Sequence, residues 1–302
     1  MKAMIMAAGF GTRLRPLTDN FPKALVPVLN RPVLERNIEY LCSYGIKDII
    51  INAHYHRDRI QKFVSSCKIP GVRLTVSLEE EILGTGGGIA NCREFLKNDT
   101  FIVINSDILT DINLDTAVNT HKKSGNIATL VLHDYTRFNQ IDITPDNKVK
   151  AIHKDTAPGR LAFTGIHVLE PEIFNYLPGE GFADIITACY NPLIESDKSI
   201  NAFKPINHYW YDIGTIESYT KTNKDFLRFE DTQFIKGENT RIDSSVVLKN
   251  WAVIGNNVII EKDTVIDSSI VWDNVIIKAG VKIKNSIVST NYWYQSKKVC
   301  FF

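Results

Sequence analysis

The residues best suited to chemistry lie in one early loop, Ala7-Ala8-Gly9-Phe10-Gly11-Thr12-Arg13-Leu14-Arg15-Pro16, with Phe21-Pro22-Lys23 downstream. The loop follows a strand-length apolar run, and open α/β sheets hold ligands beyond the carboxyl ends of their strands. Gly9 and Gly11 let backbone N–H groups approach an anion closely and form a nest. Arg13, Arg15 and Lys23 add full positive charges. The chemistry implied is the binding of a phosphate chain. Two familiar phosphate loops are excluded. No Gly-Lys-Ser/Thr closes the run as in a P-loop, and Leu14 stands where a dinucleotide fingerprint has its third glycine. A lone GxG is equally a tight strand-to-loop turn; Thr12-Arg13 and Pro22-Lys23 make the set specific.

Such a loop needs a sheet to carry it. From residue 1 to about 235, short apolar runs alternate with amphipathic stretches: strands 3–8, 48–53, 73–78 and 101–107, and helices from Val33, over 57–66 and over 87–96. That alternation predicts a largely parallel sheet with helices on both faces. After residue 125 the pattern is richer in strands (126–132, 138–143, 148–153, 162–169), then a helix near 184–195, strands within 200–212 and a helix over 216–229. A second pattern starts at Ile242. Read in sixes, the chain gives IDSSVV, LKNWAV, IGNNVI, IEKDTV, IDSSIV, WDNVII and KAGVKI, with an aliphatic residue at every sixth position from Val247 to Ile283. Seven hexads make little more than two coils of a solenoid, so the repeat should dock on the first domain or a second subunit, with the sixth positions inward. The tail Asn291–Phe302, rich in aromatics, is expected to cap the last coil or enter an interface.

Composition narrows the partners. The 302 residues are 44% hydrophobic and 23% charged, and 35 Lys plus Arg against 34 Asp plus Glu leave a net charge of +1. That balance offers no basic footprint for nucleic acid. The five cysteines are an odd number without a CxxC pair, which predicts free thiols in a reducing compartment. Ala3–Ala8 is too short for a signal-peptide core, and no run approaches the ~20 apolar residues of a membrane helix. A cytoplasmic protein with no membrane partner is expected.

The early loop resembles the GxGTR…PK loop of sugar-1-phosphate nucleotidylyltransferases, and the resemblance extends over most of the first 230 residues. Leu83-Gly84-Thr85-Gly86-Gly87-Gly88 is similar to that family's second nucleotide loop, Asn105-Ser106-Asp107 and Tyr211-Asp212-Ile213-Gly214-Thr215 to its two metal motifs, and Phe163-Thr164-Gly165-Ile166 to a strand lining its sugar pocket. The hexads resemble a left-handed parallel β-helix, which many members carry. The resemblance implies an α/β fold: a Rossmann-like, mixed-sheet, GT-A-like catalytic domain over 1–235, then a short β-helix and apolar tail over 236–302. It implies transfer of a nucleotidyl group from an NTP to a sugar 1-phosphate, with release of pyrophosphate. Arg13 and Lys23 would act in catalysis. Ala7, Ala8, Gly9, Gly11, Thr12, Gly84, Thr85 and Gly86 would bind the nucleotide, and Lys154, Thr164 and Gly165 the sugar phosphate. Asp107 and Asp212 would hold Mg²⁺, with Asp111 as the alternative ligand or the cap of the helix starting near Leu114. Arg15 is equally a surface cation. Asn52–Tyr55 and Glu79–Glu81 would bound the base, although His54 alone also reads as structural.

The sugar side departs from the family. His153-Lys154-Asp155 stands for its Glu-Lys-Pro, and Asn139 for a glycine after an aromatic residue. The NSD and FTGIHVL segments favour GTP and mannose 1-phosphate, with other bases open. The alternative is a non-catalytic regulatory or scaffolding relative, which should have lost Arg13, Lys23, Asp107 or Asp212; all four are present. Acyl transfer on the repeat would need a histidine base, and the last histidine is His208. A homo-oligomer through the repeat or tail completes the expectations.

Overall fold

The computed structural model describes residues 1–196, 198, 200–290, 292–295 and 298–301. The side chains of the aromatic tail expected to cap the repeat lie outside the described residues. Two compact units emerge: Met1–Gly11, Asn20–Leu25 and Val33–Tyr211 form one, and Thr12–Asp19, Val26–Pro32 and Asp212–Phe302 the other.

The first unit contains β1 (Lys2–Met6), α1 (Val33–Ser43), β2 (Asp48–Ala53), α2 (Arg57–Ser66), β3 (Arg73–Leu78), α3 (Gly84–Asn91), β4 (Phe101–Asn105), β5 (Ile108–Thr110), α4 (Leu114–Ser124), β6 (Ala128–His133), β7 (Asn139–Ile143), β8 (Val149–Ile152), β9 (Leu161–Leu169), β10 (Ile200–Phe203) and the first two residues of β11 (Trp210–Asp212), whose last residue belongs to the second unit. Its nine-stranded sheet runs β8-β7-β9-β4-β1-β2-β3, with β6 paired to β9 and β10. The pairs β1–β2, β1–β4, β2–β3 and β6–β10 are parallel. The long β9 runs against β4, β6 and β7, so the sheet is mixed. Because β9 opposes both β4 and β6, β6 again runs with β1, and their carboxyl ends share one edge. Both faces are covered: Ala3 and Ile5 enter one core with Leu34, Ile38 and Ile60, and Met4 enters the other with Ile89 and Leu96. Burial on both faces is why β1 and β4 are unbroken apolar runs.

The predicted helix over 87–96 begins three residues early, at Gly84, and breaks at Cys92 before a short turn, Arg93–Leu96. The cap of α4 is Asn113, whose Oδ1 accepts the Thr116 N–H at 2.8 Å. Asp111 instead accepts the Tyr209 N–H at 2.7 Å. The expected cap therefore moves two residues, because an N-cap must immediately precede the first turn.

The second unit opens with α5 (Ile216–Phe229), where Thr215 and Ser218 form a reciprocal capping box. Short strands follow: β12 (Phe234–Lys236), β13 (Arg241–Ile242), β14 (Val247–Ile254), β15 (Ile259–Ile260), β16 (Val265–Val271), β17 (Ile276–Ile277), β18 (Lys282–Lys284) and β19 (Ser286–Val288). They stack in parallel as β12-β14-β16-β19, with β18 also on β16, and as β13-β15-β17. Asn239, Asn257 and Asn274 sit at the same corner with φ near +55 to +62°. Their side chains form a ladder with bonds of 3.3 and 3.1 Å, spanning 18 and then 17 residues. Asparagine tolerates this left-handed backbone better than most side chains.

That change of spacing corrects the inward positions. Val247 pairs with Val265, but Ile254 pairs with Val271, so one residue is lost within a turn of the stack. The interior contains Ile254, Ile260 and Ile266 (first positions), then Val271, Ile277 and Ile283 (sixth positions). Val247 and Ile259, expected inside, are 44% and 37% exposed. A one-residue slip exchanges the two faces of a strand. Within this unit the repeat and α5 both hold the segment 26–32. Asn30 Nδ2 donates to Ile254 O at 2.7 Å, Leu29 N to Asn223 Oδ1 at 3.0 Å, and Tyr219 Oη to Pro27 O at 2.8 Å.

Candidate active site

In the first unit, β1 delivers the early loop to the carboxyl edge of the sheet. Ala7 and Ala8 are 5% and 7% exposed, small enough to let the chain turn against its neighbours. Gly11 has φ +64°, a conformation glycine adopts without a steric cost. A Cβ built on Gly9 would meet no protein atom within 4 Å, so nothing inside the molecule demands glycine there. Beside the loop, the Lys23 ammonium pairs with Asp107 Oδ2, the two side chains being 14% and 19% exposed. The Asp107 turn is fixed from two sides: Ser106 N donates to Met6 O at 3.2 Å, and Asn37 Nδ2 of α1 donates to Ser106 O at 3.2 Å. The structure thus joins two of the predicted site residues across 84 positions of sequence.

The second loop is built differently. The Gly86 and Gly87 amides donate to Ala183 O at 2.8 and 3.2 Å, and Ala183 N returns a bond to Leu83 O at 2.8 Å. Thr85 Oγ1 accepts the Ile185 N–H at 3.1 Å. A Cβ on Gly84 or Gly87 would lie 2.6 Å from Ala183 O or 2.4 Å from Gly181 O. These glycines are required by the segment 181–185 lying on them, a contact no local motif announces. The Gly86 N–H thus has an internal acceptor in this arrangement.

On the sugar side, Thr164 is fully buried; its hydroxyl donates to Val131 O at 2.8 Å and its carbonyl accepts Trp210 Nε1 at 2.9 Å. Its hydroxyl is thus bonded within the sheet. Gly165, at φ +85°, leaves space that the Asn105 amide fills, since a Cβ would lie 2.7 Å from Asn105 Nδ2. Lys154 is exposed, with its carbonyl held by Gln140 Nε2 at 2.7 Å, and His153 Nε2 lies 2.7 Å from Asp142 Oδ2. Farther along the same edge, beyond β6, a cavity of about 410 Å³ is lined by His133, Asp134, Tyr135, Lys204, His208 and Trp210 among others. Burial, reinforced by the neighbouring His208, pushes the His133 pKa down to about 4. These residues escaped the sequence reading because no spacing links 133 to 208.

In the second unit, Arg13 occupies a short turn, Thr12–Leu14, and Asp212 is 8% exposed. A Cβ on Gly214 would fall 2.6 Å from Asp212 Oδ1 and 3.0 Å from an Arg13 guanidinium nitrogen, so this glycine makes room for both. Arg15 pairs with Asp19 at 3.2 Å on the surface.

The mixed α/β core places the first glycine loop, the lysine–aspartate pair and the second glycine loop at one sheet edge, beyond the carboxyl ends of strands, where open α/β sheets hold their ligands. The nucleotidyl transferase family model matches residues 2–228, and the chain belongs to that family. It is 27% identical to a UTP–glucose-1-phosphate uridylyltransferase of Synechocystis over 97% of this chain and 88% of that one. It is 31% identical to a mannose-1-phosphate guanyltransferase of Candida albicans over 86% of this chain and 72% of that one. Among solved structures, HddC from Yersinia pseudotuberculosis complexed with GMP-PN superposes with a TM-score of 0.63 at 27% identity, covering 74% of this chain and 99% of that one. Among the described residues, no helix is long and apolar enough to cross a membrane.

Proposed function

We propose that this enzyme transfers a nucleotidyl group from an NTP to a sugar 1-phosphate: a phosphate oxygen of the sugar attacks the α-phosphorus and pyrophosphate leaves in line. The observation that carries this reading is the Lys23–Asp107 pair beside the open face of Gly9. Such transfer asks the protein mainly for positioning and charge stabilisation. The loop amides and Arg13 would hold the triphosphate, and Lys23 would neutralise charge growing at the α-phosphate. Asp107 and Asp212 would share one Mg²⁺. Among the described residues no three Cys, His, Asp or Glu side chains gather into a self-sufficient metal site. Two carboxylates completed by substrate oxygens are a hard donor set that suits Mg²⁺. When bound, the ion supplies Lewis-acid neutralisation of the phosphate oxygens. Asp107 would serve as one of its ligands, and Lys23 beside it would present its ammonium to the substrate phosphates.

Lys154 would hold the phosphate of the incoming sugar. The polar and aromatic lining of the His133–Trp210 cavity suits the sugar ring, since aromatic faces offer apolar area with polar groups beside them. Residues 1–235 would constitute the catalytic domain and 236–302 a short left-handed β-helix, a reading supported by the parallel stacking and its inward aliphatics. Self-association through that module is proposed with it. The relatives divide between uridylyl and guanylyl transfer; GTP with mannose 1-phosphate is the first pair to test. A pyrophosphate-release screen of five NTPs against a panel of sugar 1-phosphates with Mg²⁺ should give turnover for at least one pair. No pyrophosphate from any pair would overturn the assignment.

A further inference from the structure

A buried chain of hydrogen bonds connects the two glycine loops. At the end of β1, the Ala7 N–H donates to Asn52 Oδ1 at 2.7 Å. Asn52 Nδ2 donates to Glu79 Oε1 at 2.7 Å, and the Leu83 N–H donates to Glu79 Oε2 at 3.0 Å. Asn52 and Glu79 are 0% and 2% exposed. Helix α3 is pressed onto the pair, since a Cβ on Gly88 would lie 2.9 Å from Asn52 Nδ2 and 3.0 Å from Glu79 Oε1.

The polarity of this chain is dictated by its ends. Both ends are backbone N–H groups, which can only donate. A carboxamide in the middle contributes one acceptor and one donor, so the remaining member must accept from both sides, which a carboxylate does. Glutamine at 79 would set a donor against a donor, whichever way Asn52 is turned, and a buried unsatisfied donor is costly. The carboxylate also lies at the N-terminus of α3, where negative charge is favoured.

We propose that Asn52 and Glu79 are positioning residues that hold the first loop, which grips the phosphates, in register with the second loop at the base and ribose. The proposal rests on the nucleotidyl-transfer reading. It explains why a carboxylate is buried beside a site built for anions: it fixes two amides rather than contacting the substrate.

The test exploits polarity. Glu79→Gln should raise the KM for the NTP about ten-fold or more, the equivalent of one buried unsatisfied group, with little change in the KM for the sugar phosphate. Hydrogen exchange at the Ala7 or Leu83 amide should accelerate in the same variant. The double variant Asn52→Asp/Glu79→Gln reverses the central bond and again gives both backbone donors an acceptor. It should restore KM and amide protection to within about three-fold of the wild type. Thermal melting of each variant separates this from global unfolding. An unchanged KM in Glu79→Gln, an equal change in both KM values, or a double variant no better than the single one would overturn the proposal. A wild-type protein inactive with every NTP would instead overturn the functional reading, while the exchange measurement would still judge the bridge.

Discussion

The two glycine loops of the first unit look alike in composition and differ in what they demand of glycine. In the first, the side of Gly9 is open and a lysine–aspartate pair stands next to the loop. In the second, Gly84, Gly87 and Gly88 lie against Ala183 O, Gly181 O and the Asn52–Glu79 pair, and the Gly86 and Gly87 amides are bonded internally. One loop keeps a glycine side open, the other packs its glycines against the protein. Glycine content alone therefore says that something approaches the backbone closely, and only the surroundings say what.

The largest effects should come from the charged pair beside the first loop. Asp107→Asn should keep the fold and abolish Mg²⁺-dependent turnover. Lys23→Ala should lower kcat roughly 10²–10³-fold, the usual cost of one preorganised donor, with the KM for sugar phosphate nearly unchanged. Steady-state kinetics with each substrate varied separately reads both outcomes, and a Lys23→Ala enzyme altered only in KM would place the lysine in ground-state binding.

A sharper contrast lies in the glycines themselves. Gly87→Ala should destabilise the fold by about 1–3 kcal/mol, as expected for overpacking. Gly9→Ala should leave the unfolding free energy within about 0.5 kcal/mol and raise the KM for the NTP. Denaturant titration alongside kinetics compares the two; equal destabilisation would erase the distinction between the loops.

The smallest effect concerns Lys154, which the structure leaves exposed at the far end of the sheet. Lys154→Ala should raise the KM for sugar phosphate more than it lowers kcat, because it removes mainly uniform binding. If Lys154→Ala instead depressed kcat while Lys23→Ala changed only binding, the two sides of the pocket would be exchanged.

Much of this fold was legible. The runs 48–53, 73–78, 57–66 and 216–229 form the predicted strands and helices over the same residues. Periodicity reads well where one face is buried along the whole element. It failed where long-range packing intervened. Cys92 interrupts the predicted helix 87–96, and the lost residue between Lys249 and Ala252 moved the interior of the repeat from one hexad position to another. In the site, Lys23 and Asp107 were each singled out by motif, but their contact with one another was not foreseen. Nor was the use of Glu79 as a bridge: Glu79–Glu81 were expected to bound the base, and no local spacing announces the Asn52 side chain as a partner.

Residue types and spacings alone specified the α/β class, the early glycine loop with its cations, and the hexad repeat, since each is a local pattern. Only the tertiary packing settled which glycines lie against the protein, which carboxylates are bonded internally and which aliphatics point inward. Those choices depend on atoms supplied by distant segments: Ala183 against Gly86, Asn52 between Ala7 and Glu79, and one coil of the repeat against the next. A side chain's chemistry is written in its own residue, but whether its hydrogen bonds and charge remain available is settled by whatever the fold places beside it.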